Sequence, residues 1–280
     1  MPEPLYRRIA VASAFSPRFE EVLAEAKRVR DRLGADLALI YVGEKDERTT
    51  ARFTEALATM GLPADSLIHY QTGLPAEAIL QAARRNDVEL IVAGALEKEV
   101  VLRPFLGNVA RRLVREAPCS VMLFTKPERE PKPLRRFVFF VPDYSEHARQ
   151  ALRRAVALAE KEACEHFYAI RVYTTFDAAR ATLRANLEDE EGPEQAPAPT
   201  LEEEEDALAD FIETAAGETQ VPMEARCIRG NTGFAASDFV QAVEADLLVV
   251  PVEPDGESAD LPAHIAWVMD VIPCNLWVIR

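Results

Sequence analysis

The sequence predicts an α/β protein made of two tandem, doubly wound parallel sheets, and three observations carry that reading. Short apolar runs alternate with helical patterns along the whole chain. Runs such as Leu90-Ile-Val-Ala and Leu247-Leu-Val-Val are apolar on both faces, so each strand must be covered from both sides. The chain also repeats itself. Arg115-Glu-Ala-Pro-Cys-Ser-Val-Met-Leu-Phe returns as Asp270-Val-Ile-Pro-Cys-Asn-Leu-Trp-Val-Ile, and Val88-Glu-Leu-Ile-Val-Ala returns as Ala245-Asp-Leu-Leu-Val-Val. Arg8-Ile-Ala-Val-Ala-Ser answers to Phe137-Val-Phe-Phe-Val-Pro-Asp. Right-handed crossovers then wind each copy on both faces of its sheet. A length of 280 residues suits two domains.

In the first copy, Arg8–Ser13 is a strand, and Pro17–Leu33 carries Phe19, Val22, Leu23, Ala26, Val29 and Leu33 at helical spacing. Gly34 ends that helix. Strand Asp36–Val42, helix Thr49–Met60, strand Leu67–Gln71, helix Pro75–Arg85, strand Glu89–Ala93, helix Gly107–Ala117 and strand Val121–Thr125 complete the unit. The second copy follows suit: Phe137–Val141, Glu146–Glu162, Phe167–Val172, helices on either side of an acidic insert, Met223–Arg229, Phe234–Val243, Asp246–Val250, Ala263–Val271 and Leu276–Ile279. The expected division is a first domain over 1–127, a proline-rich linker over 128–135 and a second domain over 136–280.

The repeat offset grows from about 130 residues at the front to about 155 at the back, and an insert in the second copy accounts for the difference. Residues 186–206 hold ten acidic side chains, no basic ones and four Gly or Pro. Such a stretch cannot bury enough apolar surface to offset its ordering entropy, so it reads as a solvated excursion before a helix starting near Glu202. On that reading, deleting 186–206 leaves the melting temperature nearly unchanged. A partner-binding loop is the other reading.

Charge narrows the function. Through residue 130 there are 19 basic and 19 acidic side chains, so the whole net charge of −15 belongs to the second half. That balance argues against a nucleic-acid binder, which needs a basic footprint, and against docking on an anionic membrane. No apolar run approaches the ~20 residues of a membrane span, and the N-terminus lacks a signal-peptide layout. A soluble, cytoplasmic protein with free thiols is expected. Cys119, Cys164, Cys227 and Cys274 are widely separated and do not cluster with the four His, so no metal site is written here. Cys119 and Cys274 follow prolines at the starts of edge strands and read as buried small side chains. His69, His147, His166 and His264 show no triad-like order, and no motif for an enzyme emerges.

In a doubly wound sheet, ligands sit beyond the carboxyl ends of the strands at the switch point, here after Ala12, Val42 and Ala93. The loop after Ala93 runs from Gly94 to Gly107-Asn108, where a helix begins whose free N–H groups and dipole suit an anion. No Gly-x-Gly-x-x-Gly follows the first strand, and there is no Gly-Lys-(Ser/Thr) P-loop.

These residues resemble the universal stress protein family in its tandem form. The family's nucleotide-binding members carry Gly-x2-Gly-x9-Gly-(Ser/Thr) after the fourth strand, then a helix and an Ala-Pro-Cys strand start. The frame here is Gly94, two residues, Glu97, nine residues, Gly107 and Asn108, followed by Ala117-Pro-Cys-Ser-Val121. Glu97 replaces the middle glycine, Asn108 the hydroxyl residue, and Ser13 stands where ATP-binding relatives end the first strand with Asp. The second copy keeps Asp143 but has a shorter loop, with Pro262-Ala263 in place of Gly-Ser.

The resemblance implies Rossmann-like five-stranded sheets of order 3-2-1-4-5. It also implies that Val121–Phe124 pairs with Leu276–Ile279, so that one chain forms an intrachain pseudo-dimer, with a homodimer a further option. It implies a stress-response binding or signalling module, not an enzyme, with at most one adenine nucleotide (ATP or AMP), held in the first copy. Val42 would hold adenine through its backbone. Ala12 and Ser13 would line base and ribose, and Gly94, Gly107, Asn108 and Val109 would face the phosphates. The rival reading is a protein-interaction scaffold, its partner unknown, whose nucleotide sites have decayed. The plainer residue readings stand beside these: turn glycines at 94 and 107, a capping Asp143, and a solvated face for Arg111, Arg112 and Arg115.

Overall fold

Ten strands join into one sheet, because the last strand of each half finds its outer partner in the other half. In the computed structural model, residues 5–13, 18–95, 106–174, 176–179, 199–253, 266–269 and 274–280 are described. The first half contains β1 (Arg8–Ser13), α1 (Phe19–Leu33), β2 (Asp36–Val42), α2 (Glu47–Thr59), β3 (Ile68–Gln71), α3 (Pro75–Arg85), β4 (Leu90–Gly94), α4 (Asn108–Glu116) and β5 (Ser120–Phe124). The second contains β6 (Arg136–Phe140), α5 (Glu146–Lys161), β7 (His166–Tyr173), α6 (Leu201–Ala216), β8 (Met223–Arg229), α7 (Thr232–Ala242), β9 (Leu247–Pro251), a 3-10 turn (Ala266–Met269) and β10 (Asn275–Ile279). Pro17, Glu97, most of the acidic insert, the second-half loop with Pro262 and Ala263, and His264 lie outside the described residues.

The sheet order is β3-β2-β1-β4-β5-β10-β9-β6-β7-β8. Each half is therefore a parallel 3-2-1-4-5 sheet, and the seam is antiparallel, with Leu276 opposite Leu123, Trp277 opposite Met122 and Val278 opposite Val121. This makes the chain a pseudo-dimer. It also corrects one expectation: Cys119 and Cys274 precede central strands, not edges, once the halves pair. Burial raises the Cys119 thiol to about 12 and the Cys274 thiol upward as well, as befits apolar packing groups.

Helices cover both faces. Ile9, Val11, Leu90 and Val92 face α1, while Ala10, Ile91 and Ala93 face α3 and α4, and the same alternation recurs in the second half. α1 stops where Gly34 adopts φ 67° and its N–H bonds the Arg30 carbonyl at 2.8 Å, a conformation that a Cβ would strain.

The end of the acidic insert is a second correction. Thr200 and Glu203 form a reciprocal capping box at the start of α6. Glu204 lies on the same helix face as Leu208, Phe211 and Ala215, is 5% exposed, and pairs with Arg171 of β7. Residues 200–206 are thus a core-facing helix start, and a deletion through 206 removes structure. Thr200→Ala is expected to cost about 1 kcal/mol in urea unfolding. An unchanged midpoint would show that the box does not hold the helix.

Candidate functional site

The carboxyl ends of β1, β2 and β4 open into a cleft of about 250 Å³ in the first half. Strand alternation explains its walls. The last residues of these strands project past the helices that cover the sheet, so both helical layers contribute. Phe19 and Val22 of α1 close one side, and Ile79 of α3 with Val109 and Leu113 of α4 close the other. Phe124, Thr125 and Pro127 form the wall towards the second half. Among the described residues the lining is mostly apolar, with Arg18 and Thr125 as its polar side chains.

Of the residues singled out from sequence, the structure brings Ala12, Val42, Gly94 and Val109 into this cleft. Ser13 closes β1 immediately after Ala12. Gly107 is the N-cap of α4, and Asn108 is its first, exposed residue. The first helical bond runs from Arg111 N to Gly107 O at 2.9 Å, so the N–H groups of Asn108, Val109 and Ala110 have no acceptor within the helix. The first turn of α4 carries no acidic side chain. Gly107 N donates to Ala95 O at 3.0 Å, which ties the helix start to the end of β4. Gly94 has a packing reason as well, since a Cβ there would lie 3.2 Å from Val22 Cγ2.

The basic residues that follow are committed elsewhere. Arg112 forms a bidentate pair with Glu116 across one helical turn, and Arg111 Nε donates to Leu106 O at 3.2 Å. Asp143 is an exposed turn former whose Oδ1 accepts from Ser145 N at 2.9 Å, ahead of the Ser145 cap of α5. Among the described residues, no group of three His, Cys, Asp or Glu could hold a metal, and no helix is long and apolar enough to cross a membrane.

Among the described residues, the second half sets bulkier side chains at the corresponding positions. Register equates Val11 opposite Val92 with Phe139 opposite Val249. Ala12 therefore corresponds to Phe140, and Gly94 to Pro251. The Phe140 ring packs edge-on against Trp267 of the 3-10 turn, with centroids 5.8 Å apart. That turn stands between β9 and β10 as α4 stands between β4 and β5, and a Cβ on Gly233 of α7 would come within 2.9 Å of Trp267 Cβ. On the other face, the Arg171 guanidinium donates to Pro142 O at 2.7 Å, pairs with Glu204 and lies under the Tyr144 ring. The Tyr144 hydroxyl donates to Glu204 at 2.6 Å, and burial with that carboxylate pushes its pKa up.

The family model for the universal stress protein family matches residues 5–125. A universal stress protein of Thermus aquaticus is 33% identical over 136 residues, covering 42% of this chain and 98% of the relative. The chain belongs to the universal stress protein family. A second family member, from Methanocaldococcus jannaschii, is 28% identical over 148 residues, covering 46% of this chain and 87% of its own. Two solved structures match nearly the whole chain in fold, each at 13% identity. A functionally unknown protein from Pseudomonas aeruginosa PAO1 has a TM-score of 0.68 over 98% of this chain and 92% of its own. A universal stress protein from Archaeoglobus fulgidus has a TM-score of 0.62 over 97% of this chain and 98% of its own. The match to these whole chains extends the universal stress protein fold through the second half, which the family model does not reach.

The cleft's outer walls were not readable from sequence. Helical spacing marks Phe19, Val22 and Leu113 as apolar-face residues without saying which of them reach past the strand ends. The bulkier residue in the second half was not read from sequence either: the repeat sets Arg8 against Phe137 and so Ala12 against Val141, one residue from the Phe140 that strand register places there.

Proposed function

We propose that this universal stress protein is a binding and signalling module of the stress response, not an enzyme, and that it takes one adenine nucleotide in the first-half cleft. The two units would be 1–127 and 136–280. The observation that carries this reading is the contrast between halves: Ala12 and Gly94 line a cleft beside the α4 N–H groups that have no acceptor within the helix, whereas Phe140 and Pro251 stand at the matching positions of the second half, with Trp267 against Phe140. The donor set fits. Apolar walls formed by Val42, Ile79 and Val109 suit the faces of a base, and the N–H groups of Asn108 and Val109 suit a phosphate. Among the described residues, nothing in the cleft combines a nucleophile with a base.

Calorimetric titration with ATP and AMP, with and without Mg²⁺, tests the reading. One site per chain is expected, and Ala12→Phe, which copies the second half's own solution, is expected to weaken binding at least about tenfold. The apolar character of the lining favours a second reading, a scaffold for an unknown protein partner whose nucleotide sites have decayed. No heat at millimolar nucleotide would select it.

A further inference from the structure

We propose that β3 is a self-association edge, through which two copies of this chain pair antiparallel about His69 to join their sheets. The two outer strands of the ten-stranded sheet, β3 and β8, differ in kind. β8 carries Glu224, Arg226 and Arg229 along its length, with an ion pair between the first two, and charged side chains on an edge oppose pairing with another chain. From Ser66 to Ala76, by contrast, there is no Asp, Glu, Lys or Arg. Leu67 and Leu74 at the two ends of this stretch are 56% and 67% exposed.

The backbone of β3 is self-complementary. Leu67 O accepts from Leu39 N and Gln71 O from Gly43 N, each at 2.8 Å. Because alternate residues of a parallel strand face its neighbour, Leu67, His69 and Gln71 turn their backbone groups towards β2, and Ile68 and Tyr70 turn theirs outward. Among the described residues, β2 is the one strand paired with β3. In an antiparallel pair centred on His69, Ile68 of each copy meets Tyr70 of the other, and the two residues exchange both of their bonds, four in all. This is the isologous geometry of a two-fold dimer. The antiparallel β5–β10 seam already joins sheet to sheet within the chain in the same way.

Charge selects a second copy as the occupant. The half that owns β3 is neutral through residue 130, and the −15 resides in the half that owns β8. Pairing through β3 places the neutral halves together and keeps the acidic halves at the two ends, whereas pairing through β8 would bring them side by side. His69, which would face its own copy across the axis, has its pKa pushed below the ordinary histidine value by burial and by Arg8, so two neutral imidazoles meet there at neutral pH.

Sedimentation of the full chain across the micromolar to millimolar range, with hydrogen exchange on the same samples, tests the proposal. The expected result is a rise from 31.1 kDa to twice that mass, with exchange at the Ile68 and Tyr70 amides slowing as the dimer forms. Ile68→Pro removes an N–H that points away from β2 and is expected to weaken association about tenfold, whereas Ile68→Val, which keeps that N–H, is expected to leave association unchanged. A chain that stays at 31.1 kDa throughout overturns the proposal. So does a dimer in which the Ile68 and Tyr70 amides exchange as in the monomer, since its interface lies elsewhere.

Discussion

Arg28→Met is expected to destabilise the protein by about 3–5 kcal/mol at neutral pH, because it strands two buried carboxylates that belong to different halves. Arg28 of α1 sits between Glu25 of its own helix and Glu162 at the end of α5, with side-chain exposures of 10%, 8% and 0%. Its Nη2 reaches Glu25 Oε2 at 2.9 Å, and its Nη1 holds Glu162 Oε1. The other oxygen of Glu162 accepts from Leu134 N, between β5 and β6, at 3.1 Å. One guanidinium thus ties together α1, α5 and the segment that joins the halves. Arg32, the other cation near Glu162, is 42% exposed and stands 3.7 Å away, too solvated to substitute.

The pH dependence separates charge from packing. Burial raises the Glu25 pKa above its ordinary 4.5, Arg28 opposes that rise and Glu162 adds to it. Removing Arg28 therefore lifts the folded-state value further. A carboxyl group whose folded pKa exceeds its unfolded pKa binds more protons when folded, so stability falls as pH rises between the two values. The deficit of Arg28→Met should be full at pH 7 and shrink as pH falls through the raised value towards 4.5. Urea unfolding of variant and wild type at several pH values checks this. A deficit that does not change with pH would assign the loss to the packing of the guanidinium over Phe124, 5.8 Å from the ring centre.

The strands were legible in the sequence because a strand covered on both faces has to be apolar throughout, and Leu90–Ala93 and Leu247–Val250 are. Strand neighbours are another matter. A segment such as Cys274-Asn-Leu-Trp-Val-Ile carries no mark of what lies beside it, so the central position of β10 came from the family resemblance and not from its own residues. The helix start near Glu202 was read to within one residue of Leu201, but the end of the solvated insert, carried through 206, was misread for an instructive reason. Five acidic residues in a row outweighed the Thr200–Glu203 capping pair, although Glu204 keeps helical register with Leu208 and Phe211. Net charge is a sum over a segment, whereas burial is decided by the face on which each side chain falls. The first-half loop after β4 resisted for a related reason. The spacing from Gly94 to Gly107 specifies a frame, but the cleft depends on how Phe19, Ile79 and Phe124 converge from three elements far apart in sequence.

Trp277→Ala should cost a further large amount, about 3–5 kcal/mol, and should reach both halves. Trp277 is the largest fully buried side chain, lies at the middle of β10 opposite Met122 of β5, and belongs to the apolar cluster shared by residues of the two halves. Its indole packs 6.2 Å from the ring of Tyr6, which is itself fixed by a 2.9 Å bond to Ser120 and covered by Arg154 of α5. Truncation leaves a cavity bounded by both halves, and neither half can close it without shifting the seam. Trp267 is then the one remaining tryptophan and reports on the second half alone, while far-UV circular dichroism reports on the whole chain. Both signals should move together to lower urea in the variant, because the lost contacts are common to the two halves. Early loss of circular dichroism with an unshifted Trp267 transition would mean that the second half folds independently of the seam, and that the pseudo-dimer is held by its ion pairs instead.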